Sequence, residues 1–269
     1  MLTSSPSIKA ERRSAPRRSA SARLTRNVAE GVHRLQHAYV NCYLIEQRDG
    51  LTIVDAAHPR TWPLLLRAIT AIGRTPADVE AVLLTHAHFD HLGFAARAQQ
   101  EWGVPVFAHP ADHYIAEYPY RYAHERPRSL YPILHPRGIP PLFAMAAAGA
   151  LGVTGITDVV PVIAGETLDV PGRPEVVFSP GHTAGHCAYL LRDASALIVG
   201  DALVTFNPYT GRFGPQIVSG AATADSDEAL ASLGILAATR ARVVLPGHGD
   251  SYRLGIEGAV AAARSAGPS

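Results

Sequence analysis

From Val28 onward, short apolar runs of strand length alternate with stretches of helical period. "VNCYLIEQ" (40–47) and "GLTIVDA" (50–56) read as two strands joined by the turn "RDG". "TWPLLLRAITAIGR" (61–74) reads as a helix that starts at Thr61, carries Pro63 in its first turn and ends near Gly73. "EAVLLT" (80–85) has the continuous apolar character of a buried strand. A helix over 92–103, closed by Gly103, and a strand over 104–108 follow. The second half repeats the rhythm, with strands at 174–179, 187–192, 196–200 and 241–246 and a helix over 226–239 that takes Ser226 as its N-cap. Strands alternating with helices in two similar halves predict a layered α/β architecture, sheet on sheet with helices outside.

Two stretches break the pattern. Residues 1–27 are basic, serine-rich and nearly free of apolar side chains, which predicts a disordered tail before one domain over 28–269. No apolar h-region follows its arginine pairs, so export is not expected. Residues 108–165 are rich in tyrosine, proline and arginine and show no clear period. They are read as a partly helical insertion that caps one face. Its apolar part, 140–151, is expected to line an acyl pocket or a dimer contact, which keeps a homodimer open.

Composition narrows the function classes. Apolar residues make up 47% of the 269 and the formal net charge is +1, so nothing draws the whole chain to nucleic acid or to a membrane surface. No apolar run reaches the length of a membrane span. The two cysteines, Cys42 and Cys187, read as buried thiols of a reducing compartment, and a cytoplasmic location is expected.

The chemistry concentrates at strand ends. "THAHFDH" (85–91) places His86, His88, Asp90 and His91 directly after a strand. In an extended chain residues two apart point the same way, so His86 and His88 can grip one ion. Asp90 and His91 sit where the chain turns into a helix and can face a second point. His182, Asp201 and His248 each follow another predicted strand, in "SPGHTAGH", "VGDAL" and "LPGHGD". Ligands collect at the carboxyl ends of strands in such sheets, and imidazole with carboxylate suits zinc, iron or manganese.

The ordered set "THAHFDH", "GHTAGH" (181–186), "GD" (200–201) and "PGHG" (246–249), with "NCYLI" (41–45) and "IVDAA" (53–57) upstream, resembles the metallo-β-lactamase fold superfamily, in its glyoxalase II and lactonase-like branch. The resemblance runs from Val28 to about Tyr252, the insertion excepted. It implies a four-layer αββα sandwich with two divalent metal ions per chain, zinc foremost and iron or manganese as alternatives. His86, His88 and His182 would hold one metal, Asp90, His91 and His248 the other, and Asp201 would bridge them. Asp90 would also accept or relay a proton. Asp55 would orient a ligand, and His186 would support the site without binding metal. The chain departs from the family at Ala57, where glycine is more usual, which bears on the loop around His58. His109, His113, His124 and His135 in the insertion read as solvated histidines, and Tyr114, Tyr118, Tyr120, Tyr122 and Tyr131 as cap-filling side chains or pocket lining.

What the resemblance implies chemically is hydrolysis of an ester-like bond, a thioester or a lactone, by a hydroxide held between the metals. The alternative is a persulfide dioxygenase with a single iron on His86, His182 and Asp201. A β-lactamase is disfavoured, because those members lack an aspartate at the position of Asp201. RNA cleavage is disfavoured by the lack of an added domain or a basic patch, and a flavodiiron centre by the intact His88. The chain ends soon after His248, which weakens glutathione thioesters. The expected partner is a small molecule.

Overall fold

The computed structural model describes residues 22–48 and 50–269. The tail expected over 1–27 lies outside the described residues as far as position 21. At its far end the expectation is corrected, because β1 (Arg23–Ala29) is already a strand. It is an edge strand whose middle faces solvent, so little hydrophobic alternation marks it in the sequence.

β1 pairs antiparallel with β2 (Val32–His37), β2 with β3 (Val40–Gln47), and β3 with β4 (Gly50–Val54). β5 (Val79–Leu83), β6 (Val106–Ala108) and the two-residue β7 (Val160–Pro161) continue the sheet in parallel, giving seven strands in chain order. A second sheet holds β8 (Glu175–Phe178), β9 (Cys187–Leu191) and β10 (Ala196–Gly200). After the hairpin β11 (Val204–Phe206) and β12 (Phe213–Gln216), β13 (Val243–Pro246) joins it parallel to β10.

The period-two alternation of the strands sorts their side chains into separate layers. Tyr43, Ile45, Ala81 and Leu83 of the first sheet meet Val176, Tyr189, Ile198 and Leu245 of the second in a core between the sheets. Cys42, Leu44, Ile53 and Val82 face the other way, onto α1 (Trp62–Ala71) and the Phe94–Ala98 segment. On the far side, Leu190, Leu197 and Val244 pack against the two helices that end the domain. The architecture is therefore helix, sheet, sheet, helix, as expected.

The helices differ from the sequence reading in their boundaries. The stretch expected as one helix over 92–103 is split into α2 (Phe89–Leu92) and α3 (Ala95–Trp102). At the break Gly93 presses against the backbone of the loop after β4: a Cβ there would lie 2.3 Å from the Ala57 carbonyl oxygen. Between β6 and β7 lie three short helices, α4 (His113–Glu117), α5 (Tyr131–Leu134) and α6 (Ile139–Ala147). In α7 (Ser226–Ala238) the capping residue is Asp225 rather than Ser226, its carboxylate accepting from the Glu228 amide. α8 (Ile256–Ala266) closes the layer. No helix among the described residues is long and apolar enough to cross a membrane.

Hydrogen bonds lace the two sheets together at the end where β5 and β13 finish. The Cys187 amide donates to the Thr85 carbonyl and the Tyr189 hydroxyl to the Leu84 carbonyl, each at 2.8 Å. From the other direction Asn41 Nδ2 donates to the carbonyls of Pro246 and Gly249, and its backbone amide to that of Gly247, all at 2.8 Å. These bonds hold the "PGHG" turn against β3. Asn41→Ala is expected to remove two of these bonds while Tyr43 still reaches the Pro246 carbonyl and Arg34 that of Gly249, and to cost about 1–2 kcal/mol, seen as a thermal midpoint lower by several degrees. An unchanged midpoint would remove the lacing role.

Candidate metal centre

The carboxyl ends of β5, β10 and β13 and the turn after β8 converge on this laced edge. Three groups have ligand atoms within 4.8 Å of one another: His86, His88 and His182; His86, His91 and Asp201; Asp90, His91 and His248. The seven residues singled out in the sequence are thus brought to one place, and all are buried. Asp201 stands between the outer two groups. Its Oδ2 lies 3.6 Å from His182 Nε2 and 3.1 Å from His248 Nε2, and its Oδ1 lies 3.6 Å from His91 Nε2. Asp90 Oδ2 is 3.4 Å from His248 Nε2. Gly247 makes room for this, since a Cβ there would lie 2.2 Å from Asp201 Oδ1.

Hydrogen bonds on the far side of the rings decide which nitrogen carries a lone pair. Thr85 Oγ1 donates to the Asp55 carboxylate, so toward His86 Nδ1, at 3.0 Å, it can only accept. Thr223 Oγ1 donates to the Val218 carbonyl and in the same way accepts from His182 Nδ1 at 3.3 Å. His91 Nδ1 donates to Asp55 Oδ2 and His248 Nδ1 to the Tyr39 carbonyl, both at 2.9 Å. Four imidazoles thus spend their Nδ1 hydrogen on the protein and turn Nε2 inward, the orientation metal-binding histidines take. The Nε2 atoms of His86, His88, His91 and His182, with Asp201 Oδ1, are buried and lack any hydrogen-bond partner. Five such orphans facing one space fit a cation and would be costly without one.

The field of the site divides the rings. Burial pushes His86 and His88 well below the ordinary histidine range, and His182 down to about 4. Burial also opposes charge on His91, but Asp55 and Asp201 outweigh it and raise that ring to about 9. His248 is raised for the same reason by Asp201 and Asp90. Burial works against the Asp90 and Asp201 carboxylates too, yet the bond from His248 and the neighbouring imidazoles hold both well below the usual range. The two carboxylates thus face the two raised imidazoles, and metal binding to groups of this kind displaces their protons.

Other residues from the sequence reading stand apart from this cluster. His186 donates from Nδ1 to Ser179 Oγ at 2.9 Å, and its Nε2 accepts the amides of Asp201 and Ala202 at 3.1 and 3.2 Å. Both nitrogens are used, so it steadies the Asp201 turn and offers nothing to an ion. Asp55, at φ 63°, takes the Thr85 amide and hydroxyl as well as His91. His109 accepts from the Ala111 amide, His113 faces the Ala108 carbonyl and His124 the Arg126 carbonyl, and none of these belongs to a cluster among the described residues. Tyr120 donates to the Ala150 carbonyl and Tyr131 to that of Ser269, whereas Tyr114 and Tyr118 are exposed. Tyr122 differs, with its ring centre 3.9 Å from that of His88. His58 is fully buried with both ring nitrogens unpartnered, and burial lowers it to about 3.

One residue was missed. Asp112 accepts from the Ala87 amide at 3.1 Å, from Thr183 Oγ1 at 2.8 Å and from the Gly185 amide at 2.7 Å. It ties the "HAH" loop to the "GHTAGH" loop, although burial raises its carboxyl to about 6. It too follows a strand, β6, and the strand-end rule applied to "HPAD" would have found it.

Comparison with known proteins agrees with this geometry. A family model described as the metallo-beta-lactamase superfamily matches residues 37–248. The probable metallo-hydrolase YflN of Bacillus subtilis (strain 168) is 27% identical over 182 residues, a span of 66% of each chain. Among solved structures, the metallo-beta-lactamase family protein TTHA1429 of Thermus thermophilus superposes with a TM-score of 0.63 at 25% identity, covering 86% of this chain and 77% of that one. TTHA1623, solved in a di-iron-bound form, gives 0.56 at 29% identity over 81% and 92%. Since the matched span contains every residue of the buried His–Asp cluster, the chain belongs to the metallo-beta-lactamase superfamily.

Proposed function

We propose that the protein is a metal-dependent hydrolase of an ester-like bond, a thioester or a lactone. The observation that carries this reading is the set of inward-facing orphan atoms on His86, His88, His91, His182 and Asp201. His86, His88 and His182 would hold one divalent ion and Asp90, His91 and His248 the second, with Asp201 shared. Zinc suits this nitrogen–oxygen set, and the di-iron form of TTHA1623 makes iron the alternative. Bound there, the metals supply Lewis acidity toward a carbonyl and lower the pKa of water.

The chain's own groups do the rest. The Nδ1 bonds from Thr85, Asp55, Thr223 and Tyr39 hold the rings in place, so little reorganisation is needed when substrate arrives. Asp90, the least deeply buried of the seven, would take or relay the proton of the attacking water. In the overall change the water oxygen forms the new bond to the acyl carbon, the carbon–sulfur or carbon–oxygen bond breaks, and a proton passes to the leaving thiolate or alkoxide. A persulfide dioxygenase would use a single iron on His86, His182 and Asp201 and could keep the Asp90, His91 and His248 group, so metal content separates the two readings.

Metal analysis of protein loaded with excess zinc is expected to find close to two ions per chain. The loaded protein should turn over members of a thioester and lactone panel but not β-lactams, and chelation should abolish that activity. One ion per chain with oxygen uptake on a persulfide would overturn the reading.

Asp201→Ala is expected to deplete both ions, because a shared carboxylate is lost between two cations, whereas His248→Ala should loosen one. Equal single-ion loss in the two variants would contradict the sharing of Asp201.

Asp112→Ala is expected to weaken metal at the His86, His88 and His182 group by about 10–100-fold in chelator competition, with Asp112→Asn recovering part. Unchanged affinity in both variants would reduce Asp112 to a purely structural tie.

A further inference from the structure

We propose that Arg128 forms an anion-binding subsite beside the metal centre, so that the preferred acyl substrate carries a second, carboxylate group away from the carbonyl that is cleaved. This deepens the hydrolase reading and rests on it for the word substrate, but the subsite itself is read from the geometry around the guanidinium.

Arg128 is placed by the ring of Tyr122. The Tyr122 ring centre lies 3.9 Å from that of His88, and the Arg128 guanidinium carbon lies 4.0 Å from the same Tyr122 centre. Two groups so close to one ring centre cannot share a face. The Tyr122 ring therefore lies between the His88 ring, tilted 41° to it, and the guanidinium, which is within about 8 Å of the His88 ring. A second anchor fixes it from the other side, where Nε donates to the Ala221 carbonyl at 3.1 Å. Ala221 belongs to the same loop as Thr223, which holds His182. Arg128 is thus tied to the His88 side of the cluster and to the loop whose Thr223 holds His182.

Its remaining donors point to a ligand. Nη2 is buried and has no hydrogen-bond partner, and among the described residues no carboxylate pairs with this guanidinium. Glu125, the acid nearest in sequence, is engaged by the amide and hydroxyl of Ser226. A cationic donor withdrawn from water and left unmatched is costly, and the fork of a guanidinium matches a carboxylate. Arg121 and Arg126 nearby are exposed: Arg121 lies over the Tyr118 ring, and Arg126 meets Gly220 through its backbone amide. Arg128 alone of these three joins an orphaned donor to a position beside the metal centre.

The test pairs two thioesters that differ only in the distant group, S-phenyl thiobutyrate and the S-phenyl monothioester of glutaric acid. On the metal-loaded protein, kcat/KM is expected to favour the glutaryl compound by about tenfold or more, chiefly through KM. In Arg128→Met that ratio should collapse to within about twofold of unity, and Arg128→Lys should keep part of it. A brace without a binding role would slow both thioesters alike and leave the ratio as in the wild type, which would overturn the proposal. Calorimetric titration with methanesulfonate, an anion that coordinates metals weakly, is independent of turnover. Binding to the wild type that weakens about tenfold in Arg128→Met supports the subsite even if neither thioester is cleaved, in which case it is the hydrolase reading that fails. No methanesulfonate binding to the wild type, together with equal turnover of the two thioesters, would overturn the subsite and leave the hydrolase reading standing.

Discussion

Inward-facing nitrogen lone pairs and carboxylate oxygens, buried together at one edge of two sheets, are the constraint that organises the molecule. A polar atom without a partner in such a place costs free energy, and here several converge on one space. The rest of the fold makes this arrangement rigid. The strand ends at this edge are paired within their sheet or laced across to the other, which holds the cluster in place. A cation resolves the conflict that the protein builds.

The support is layered outward in hydrogen bonds. Asp55 illustrates it: held at a positive φ that an aspartate adopts only under constraint, it takes the Thr85 amide with one oxygen, His91 with the other and the Thr85 hydroxyl with both. Thr85 then takes His86, so one buried carboxylate orients rings belonging to two different groups. His186 does the corresponding work for the Asp201 turn, and Asp112 for the two loops that bear His86, His88 and His182. Each of these residues acts through another, and each sits behind the cluster rather than in it.

The segment between β6 and β7 approaches the cluster from the open side. Its backbone joins the 217–224 loop, the Glu125 amide donating to the Thr223 carbonyl and the Arg126 amide to that of Gly220. Tyr122 and Arg128 bring aromatic and cationic surface to the rim of an otherwise imidazole- and carboxylate-lined site. The residues of the His–Asp cluster come from the ends of the strands, which are rigid, while Tyr122 and Arg128 come from a connection free to vary in length and composition.

Much of this was legible before the fold was known, and for a physical reason. Metal-capable side chains must be close, and the cheapest way to bring them together is at the carboxyl ends of adjacent strands, so "THAHFDH", "GHTAGH", "GD" and "PGHG" each advertise themselves by following an apolar run. The alternation within β3, β5 and β10 likewise fixes which side chains face the space between the sheets. The tertiary structure alone decided what depends on contacts between distant segments. The strand at Arg23–Ala29 exists because β2 offers it an edge, not because its own pattern demands it. Asp112 became a clamp only when two loops from different sheets met beside it, and Arg128 became an unmatched cation only when Tyr122 turned its ring onto His88. Local periodicity records which face a residue presents. It holds no record of which distant donor or acceptor will be waiting there.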